Sequence, residues 1–158
     1  MPKLSAGVLL YRTDWTASLE VLLVHPGGPL WRNRDDGVWS IPKGEVEGED
    51  DPQATAAREF AEELGCRAPT GPWTDLGEIT QRAGKRVRAW AVAGDVDVAA
   101  VQSNTFELEW PPRSGRRESF PEIDRAAWLV LPVARRKLLQ AQVPFLDRLT
   151  TALNGKEN

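Results

Sequence analysis

Residues 44–65 read Gly44-Glu-Val-Glu-Gly-Glu-Asp-Asp-Pro-Gln-Ala-Thr-Ala-Ala-Arg-Glu-Phe-Ala-Glu-Glu-Leu-Gly65, a glycine loop running into a short helix whose last turn is crowded with carboxylates. Pro52 suits the first helical position, Asp50 or Asp51 can cap it, and Gly65 can end it. Ala56, Phe60 and Leu64 recur at helical spacing as an apolar stripe. Glu59, Glu62 and Glu63 stand at i, i+3 and i+4, so their side chains meet on another part of the surface. The C-terminal end of a helix carries partial negative charge, so each acid there costs about 0.3–1 kcal/mol. Like-charge neighbours on the helix add about 0.2–0.5 kcal/mol per pair. Arg58 offsets part of this. A bound divalent cation reverses the balance, and hard oxygen donors suit magnesium or manganese. The plainer reading is a solvated acidic face.

The order of these residues closely resembles the signature of the Nudix family: a glycine, five residues, an acid, seven residues, then Arg58-Glu59-Phe60-x-Glu62-Glu63-x-Gly65. Three positions depart from it. Asp50 stands where the family normally has Glu, Glu45 where many members have a second glycine, and Cys66 where an aliphatic residue is usual. The run Trp39-Ser-Ile-Pro-Lys-Gly44 is similar to the lead-in of the branch that includes diadenosine tetraphosphate hydrolases. Glu122, six residues before Trp128, matches the spacing of an acid before a tryptophan-bearing strand in MutT and dinucleoside polyphosphate hydrolases.

The resemblance implies an α/β/α sandwich, with a mixed β-sheet between helices and a loop-helix-loop box beside it. It also implies a metal-dependent pyrophosphohydrolase that cleaves a nucleoside diphosphate linked to another moiety by attack of water on phosphorus. Glu59 and Glu63 are the expected metal ligands, with Glu62 supporting a second ion, the Gly44 carbonyl adding a ligand, and Glu122 approaching from the opposite side as ligand or general base. The cofactor expected is Mg2+ or Mn2+. Arg58 holds the box carboxylates in place, and Lys43 is a candidate phosphate contact. Dinucleoside polyphosphates and nucleoside triphosphates are the expected substrates. The alternatives are a MutT-like enzyme that clears damaged (d)NTPs and a catalytically silent module that senses a nucleotide or binds a partner. The family's substrate markers are not evident: Gln81 and Arg82 stand where a Tyr would favour dinucleoside polyphosphates and a Pro would favour ADP-ribose.

Other candidates carry two readings each. Trp31 and Trp39 flank the approach to the box and can stack on a base. Lys85, Arg86 and Arg88 can line a phosphate path, with Arg86 taken as a substrate contact, although exposed hairpin edges carry such charges routinely. Arg113, Arg116 and Arg117 serve phosphate contact or solubility equally well. Glu107 and Glu109 alternate with Phe106, Leu108 and Trp110 as in a half-buried strand, and are weaker far-side acids than Glu122. His25, beside Pro26-Gly-Gly, reads as a loop residue rather than a ligand.

Composition bounds the class. With 158 residues, 41% hydrophobic and 27% charged, the chain has the make-up of one globular domain, expected over 1–153 with a frayed tail at 154–158. The single Cys66 rules out an internal disulfide framework and a thiolate zinc cluster. No signal-peptide pattern and no apolar run near 18 residues is present, so a cytoplasmic protein with no membrane partner is expected. A net charge of −3 and a pI near 5.3 argue against a nucleic-acid polymer as partner and leave a small nucleotide. Oligomeric state is not legible.

Along the chain, residues 4–11 and 19–24 read as a hairpin, 38–41 as a short strand, 76–82 and 85–92 as a second hairpin, 105–110 and 126–131 as strands, and 132–153 as a helix broken near Pro144.

Overall fold

The computed structural model describes residues 3–155. β1 (Leu4–Thr13) and β2 (Leu19–Pro26) form the first hairpin, and β4 (Thr74–Thr80) and β5 (Arg86–Ala93) form the second. Between them lie β3 (Lys43–Glu45) and α1 (Pro52–Leu64). β6 (Thr105–Glu109) and β7 (Arg117–Pro121) make a separate two-stranded arm, and β8 (Ile123–Val130) leads to α2 (Leu131–Lys137) and α3 (Pro144–Gly155).

The main sheet runs β4-β5-β1-β2-β8, with β1 and β5 parallel and the other pairs antiparallel. Strand alternation sends residues to two faces. Val8, Leu10, Leu22, Val24, Trp90 and Val92 pack under Ala56, Phe60 and Leu64 of α1. Leu9, Val21, Leu23, Val87, Ala89 and Ala91 pack against Ala134 of α2 and Phe145, Leu146 and Leu149 of α3. Helices therefore cover both faces, which gives the expected α/β/α sandwich. No helix among the described residues is long and apolar enough to cross a membrane.

One irregularity positions everything that follows. β1 and β2 pair only near their turn, from Tyr11–Val21 to Thr13–Leu19. Further along β1, Ser5–Gly7 pair instead with β3. The segment before β3 wedges into the split: Val8 N–H donates to Pro42 O at 3.0 Å, and Val24 and Ser40 exchange backbone bonds at 2.8 and 3.0 Å. A Cβ on Gly7 would lie 2.6 Å from Pro42 O, so the wedge needs glycine there.

Three elements differ from expectation. Residues 38–41 make only isolated bridges, Val24 with Ser40 and Trp39 with Leu138, and the named strand comes later, at Lys43–Glu45. β7 has Phe120 as its one large apolar residue and offers no alternating pattern to read. The stretch 132–153 is two helices, because the chain leaves α2 at Leu138 to lay its backbone along Trp39: Trp39 N–H donates to Lys137 O and Leu139 N–H to Trp39 O. Pro144 then starts α3 rather than breaking a helix, as its fixed φ and missing N–H allow at a first position. Asn154 and Gly155, expected in a frayed tail, are helical, and residues 156–158 lie outside the described residues.

Candidate active site

α1 is built as its sequence implies. Asp51 caps it, its side chain accepting from Ala54 N–H at 3.0 Å, Pro52 opens it, and Gly65 closes it in the left-handed region at φ 74°. The apolar stripe on the sheet fixes the helix rotation, and that rotation aims the acids toward β3.

Gly44 and Glu59 lie in direct contact. A Cβ at position 44 would fall 2.1 Å from Glu59 Cδ, so glycine there leaves room for Glu59 to keep its present position. Glu63 is 9% exposed, and its Oε2 accepts from Lys43 N–H at 3.0 Å. Burial, only partly countered by that bond and by the Lys43 charge, pushes its carboxyl up to about 8. Burial likewise raises Glu59, and the Glu62 charge raises it further. Lys43 is held below the usual ammonium range, chiefly by burial. Arg58 reaches Glu59 at 3.5 Å, Asp50 at 3.8 Å and Glu62 at 3.9 Å, one guanidinium spread over three acids.

Glu122 enters from the other side. Its N–H donates to Asn104 O at 2.9 Å, and its carbonyl accepts from Gly27 N–H at 2.8 Å, which pins the backbone on both sides. Gly27 cannot be larger, since a Cβ there would lie 2.0 Å from Pro121 O. Burial raises the Glu122 carboxyl, and the Glu62 charge adds to it. The Glu122 charge is in turn felt at Glu59 and Glu63.

Lys43, Glu63 and Glu122 border one cavity of about 300 Å³, together with Val24 and Pro26 of β2. The rest of its wall is mainly apolar, with Trp31, Val38, Ile41 and Leu139. A ligand with a flat apolar part and a charged part matches this lining.

Two expected substrate contacts lie elsewhere. Trp39 is 4% exposed, with its Nε1 donating to Asp35 Oδ1 at 2.8 Å and its ring edge-on to His25, so neither face is open to a base. Trp31, 38% exposed, is the tryptophan that borders the cavity. Arg86 ion-pairs with Glu78 at 3.3 Å and borders a different depression beside Glu45–Gly48. In the same turn it is Lys85 whose charge bears on Lys43. Arg88 pairs with Asp75. Glu107 pairs with Arg117, Glu109 accepts from Gly115 N–H, and neither lines the cavity.

His25 and Gln142 were not legible as structural organisers. His25 belongs to β2 and is fully buried, with Nδ1 2.8 Å from Asp124 Oδ1 and Nε2 2.6 Å from Arg34 O. It ties the Trp31 loop to the strand that follows Glu122. Gln142, also fully buried, has its Oε1 accepting from Ile41 N–H at 3.1 Å. His25 closes the apolar run of its strand, and Gln142 alternates with Gln140 among apolar residues, which does not mark either as buried.

Among the described residues, no three of His, Cys, Asp and Glu stand close enough together to hold an ion as they are. The donor set nevertheless fits a hard divalent cation: Glu59, Glu62, Glu63 and Glu122 offer only carboxylate oxygens. The raised Glu63 is a buried carboxyl short of positive charge, which such an ion supplies.

The NUDIX domain family model matches residues 1–149. Among solved structures, the chain is similar to an Ap4A hydrolase of C. elegans in a binary complex, with 22% identity, a TM-score of 0.65 and coverage of 96% of this chain and 98% of that one. It is also similar to the NUDIX domain of Shewanella oneidensis NrtR complexed with ADP ribose, with 16% identity, a TM-score of 0.66 and coverage of 97% and 89%. A MutT protein from Methanosarcina mazei Go1 matches with 21% identity, a TM-score of 0.60 and coverage of 96% and 95%. At these identities the likenesses speak for the fold, and the family model speaks for the family.

Proposed function

The chain belongs to the Nudix family of phosphoanhydride hydrolases, and on that premise we propose a metal-dependent pyrophosphohydrolase that cleaves a nucleoside diphosphate linked to a second group. Dinucleoside polyphosphates and nucleoside triphosphates are its substrates. The observation that carries this reading is the single cavity with Lys43, Glu63 and Glu122 at its rim and Trp31 in its wall.

Glu59, Glu62 and Glu63, with the Gly44 carbonyl, would hold magnesium or manganese, which when bound would neutralise the pyrophosphate and acidify water. The chain's own groups supply the rest. Trp31 stacks on the base and the ammonium of Lys43 meets the phosphates. The Glu122 carboxylate, raised by burial and therefore a stronger base than an exposed one, takes the proton of the attacking water. Water oxygen bonds to phosphorus as the bridging oxygen departs with the leaving phosphate. Arg58 orients the helix acids without touching substrate.

The test is product analysis after incubation with magnesium and a panel of dinucleoside polyphosphates, NTPs, nucleotide sugars and ADP-ribose. Turnover confined to the first two classes upholds the reading. Turnover confined to ADP-ribose or nucleotide sugars replaces the substrate class, and no turnover across the panel leaves the silent module in its place.

A further inference from the structure

His25 holds two parts of the site at once. It is fully buried in β2, with Nε2 2.6 Å from Arg34 O and Nδ1 2.8 Å from Asp124 Oδ1. A carbonyl oxygen accepts and never donates, so Nε2 carries a hydrogen, and a proton lies between Nδ1 and the carboxylate. Trp39, itself buried, lies edge-on to the ring at 5.2 Å and helps keep water away. Hydrogen bonds in so dry a place are stronger, and costlier to lose, than the same bonds at a surface.

Each ring nitrogen leads to a different element of the site. On the Nδ1 side, β8 pairs Arg125 with His25 and Ile123 with Pro26, which leaves Asp124 as the extra residue of a β-bulge. A bulge re-aims a side chain, and this one turns Asp124 toward His25, two residues after Glu122. The Glu122 carbonyl accepts from Gly27 N–H, so its backbone is held between the bulge and the turn that follows β2. On the Nε2 side, Arg34 engages Trp31 twice. Its N–H donates to Trp31 O at 2.9 Å, and its guanidinium lies 5.6 Å from the centre of the indole. A grip on Arg34 O is therefore a grip on Trp31.

We propose that His25 is a positioning residue for the reaction, its Nε2 setting Trp31 for the base and its Nδ1 setting Glu122 for the attacking water. The inference rests on the roles proposed above for Trp31 and Glu122. His25 does not line the cavity, so both effects pass through the residues it holds. Losing the bond to Arg34 O frees the Trp31 loop and weakens binding. Losing the bond to Asp124 lets the bulge relax and misplaces the far-side acid, which slows the chemical step.

The experiment separates the two bonds by substitution. The amide nitrogen of Asn reaches about as far as Nδ1 and that of Gln about as far as Nε2, so each variant keeps one donor and drops the other. On the nucleotide of the panel that the wild type cleaves best, His25→Asn is expected to raise KM by about tenfold and leave kcat within about twofold. His25→Gln is expected to do the reverse, with kcat lower by about tenfold. Asp124→Ala removes the Nδ1 partner from the part-exposed side, is expected to match His25→Gln, and serves in its place if that variant does not fold. NMR order parameters of the Trp31 indole N–H and the Glu122 amide, in protein without nucleotide, give a second readout. His25→Asn is expected to loosen Trp31 and spare Glu122, and His25→Gln and Asp124→Ala to loosen Glu122 and spare Trp31. A merely structural histidine would loosen both alike in every variant, and that result overturns the proposal, as does any active variant whose KM and kcat fail to divide in this way. If the wild type cleaves nothing on the panel while each order parameter answers to its own variant, the parent reading falls and the two-armed brace stands.

Discussion

Glu63 is a carboxyl taken out of water with one backbone donor and an incomplete counter-charge. Its folded value of about 8 lies above the ordinary 4.5, so the metal-free folded state binds this proton more tightly than the unfolded chain. The associated stability is complete below about pH 4.5, declines as pH rises, and is lost once pH passes about 8. Glu63→Gln keeps an oxygen to accept from Lys43 N–H but has no charge to bury. In EDTA, the variant is expected to melt with wild type near pH 5 and above it near pH 9, by the equivalent of a few kcal/mol at most. Thermal melts across that range check this, and a gap that does not vary with pH defeats it. Adding magnesium is expected to raise the wild-type melting temperature by mass action and to leave the variant nearly unmoved. Asp50 stands differently: it is half exposed, and among the described residues its one ion pair is the loose contact with Arg58 at 3.8 Å. Asp50→Glu is expected to be tolerated and Asp50→Ala to lower kcat/KM, read from steady-state kinetics. If Glu49→Ala is the damaging change instead, the acid of the loop is one residue earlier.

At the scale of elements, two glycines separate packing from catalysis. Gly7 faces a carbonyl that belongs to the wedge between β1 and β2, and backbone cannot easily retreat. Gly7→Ala is expected to cost about 1–3 kcal/mol, the range of an overpacked interior. Gly44 faces the end of a flexible side chain, Glu59, which can swing aside. Gly44→Ala is therefore expected to cost under about 1 kcal/mol while displacing Glu59 and lowering kcat at least tenfold. Melting curves beside kcat measurements distinguish the two, and a large stability loss for Gly44→Ala rejects the division. The same elements mark what a sequence can carry. α1 was legible from cap to stop because its signals are local: Asp51, Pro52, the apolar stripe and Gly65. The wedge at 38–45 was not, since whether a short apolar run becomes a strand depends on how far β1 and β2 splay apart. Nor was Pro144, because a proline that ends one helix and one that opens another look alike until Leu138 is seen leaving α2 for Trp39.

At the scale of the molecule, the site is assembled from the Trp31 loop, β3, α1, the end of the β6–β7 arm and Leu139. The family resemblance nominated the acids, since the box is one contiguous stretch and Glu122 stands six residues before Trp128 as the resemblance implies. It did not distinguish Trp31 from Trp39, because that choice turns on which indole the Asp35–Lys137 contacts draw into the core. The arm explains how an acid so distant in sequence comes to border the same cavity as Glu63. Phe106 and Phe120 pack together, a Cβ on Gly28 would touch Phe106, and Gly27 and Asn104 fix the backbone of Glu122. Glu122 is thus held from outside α1, facing acids that the helix presents. Loss of a general base costs about 10²–10⁴ in rate. Glu122→Gln is expected to lower kcat by roughly that factor with little change in KM, the pattern of an interaction made mainly in the transition state. Glu107→Gln and Glu109→Gln, which leave the cavity lining untouched, are expected to cost less than about tenfold. A crippled Glu107 or Glu109 variant beside an active Glu122→Gln would move the far-side acid onto β6 and require the arm to close over the site in a way its present packing on Gly28 does not allow.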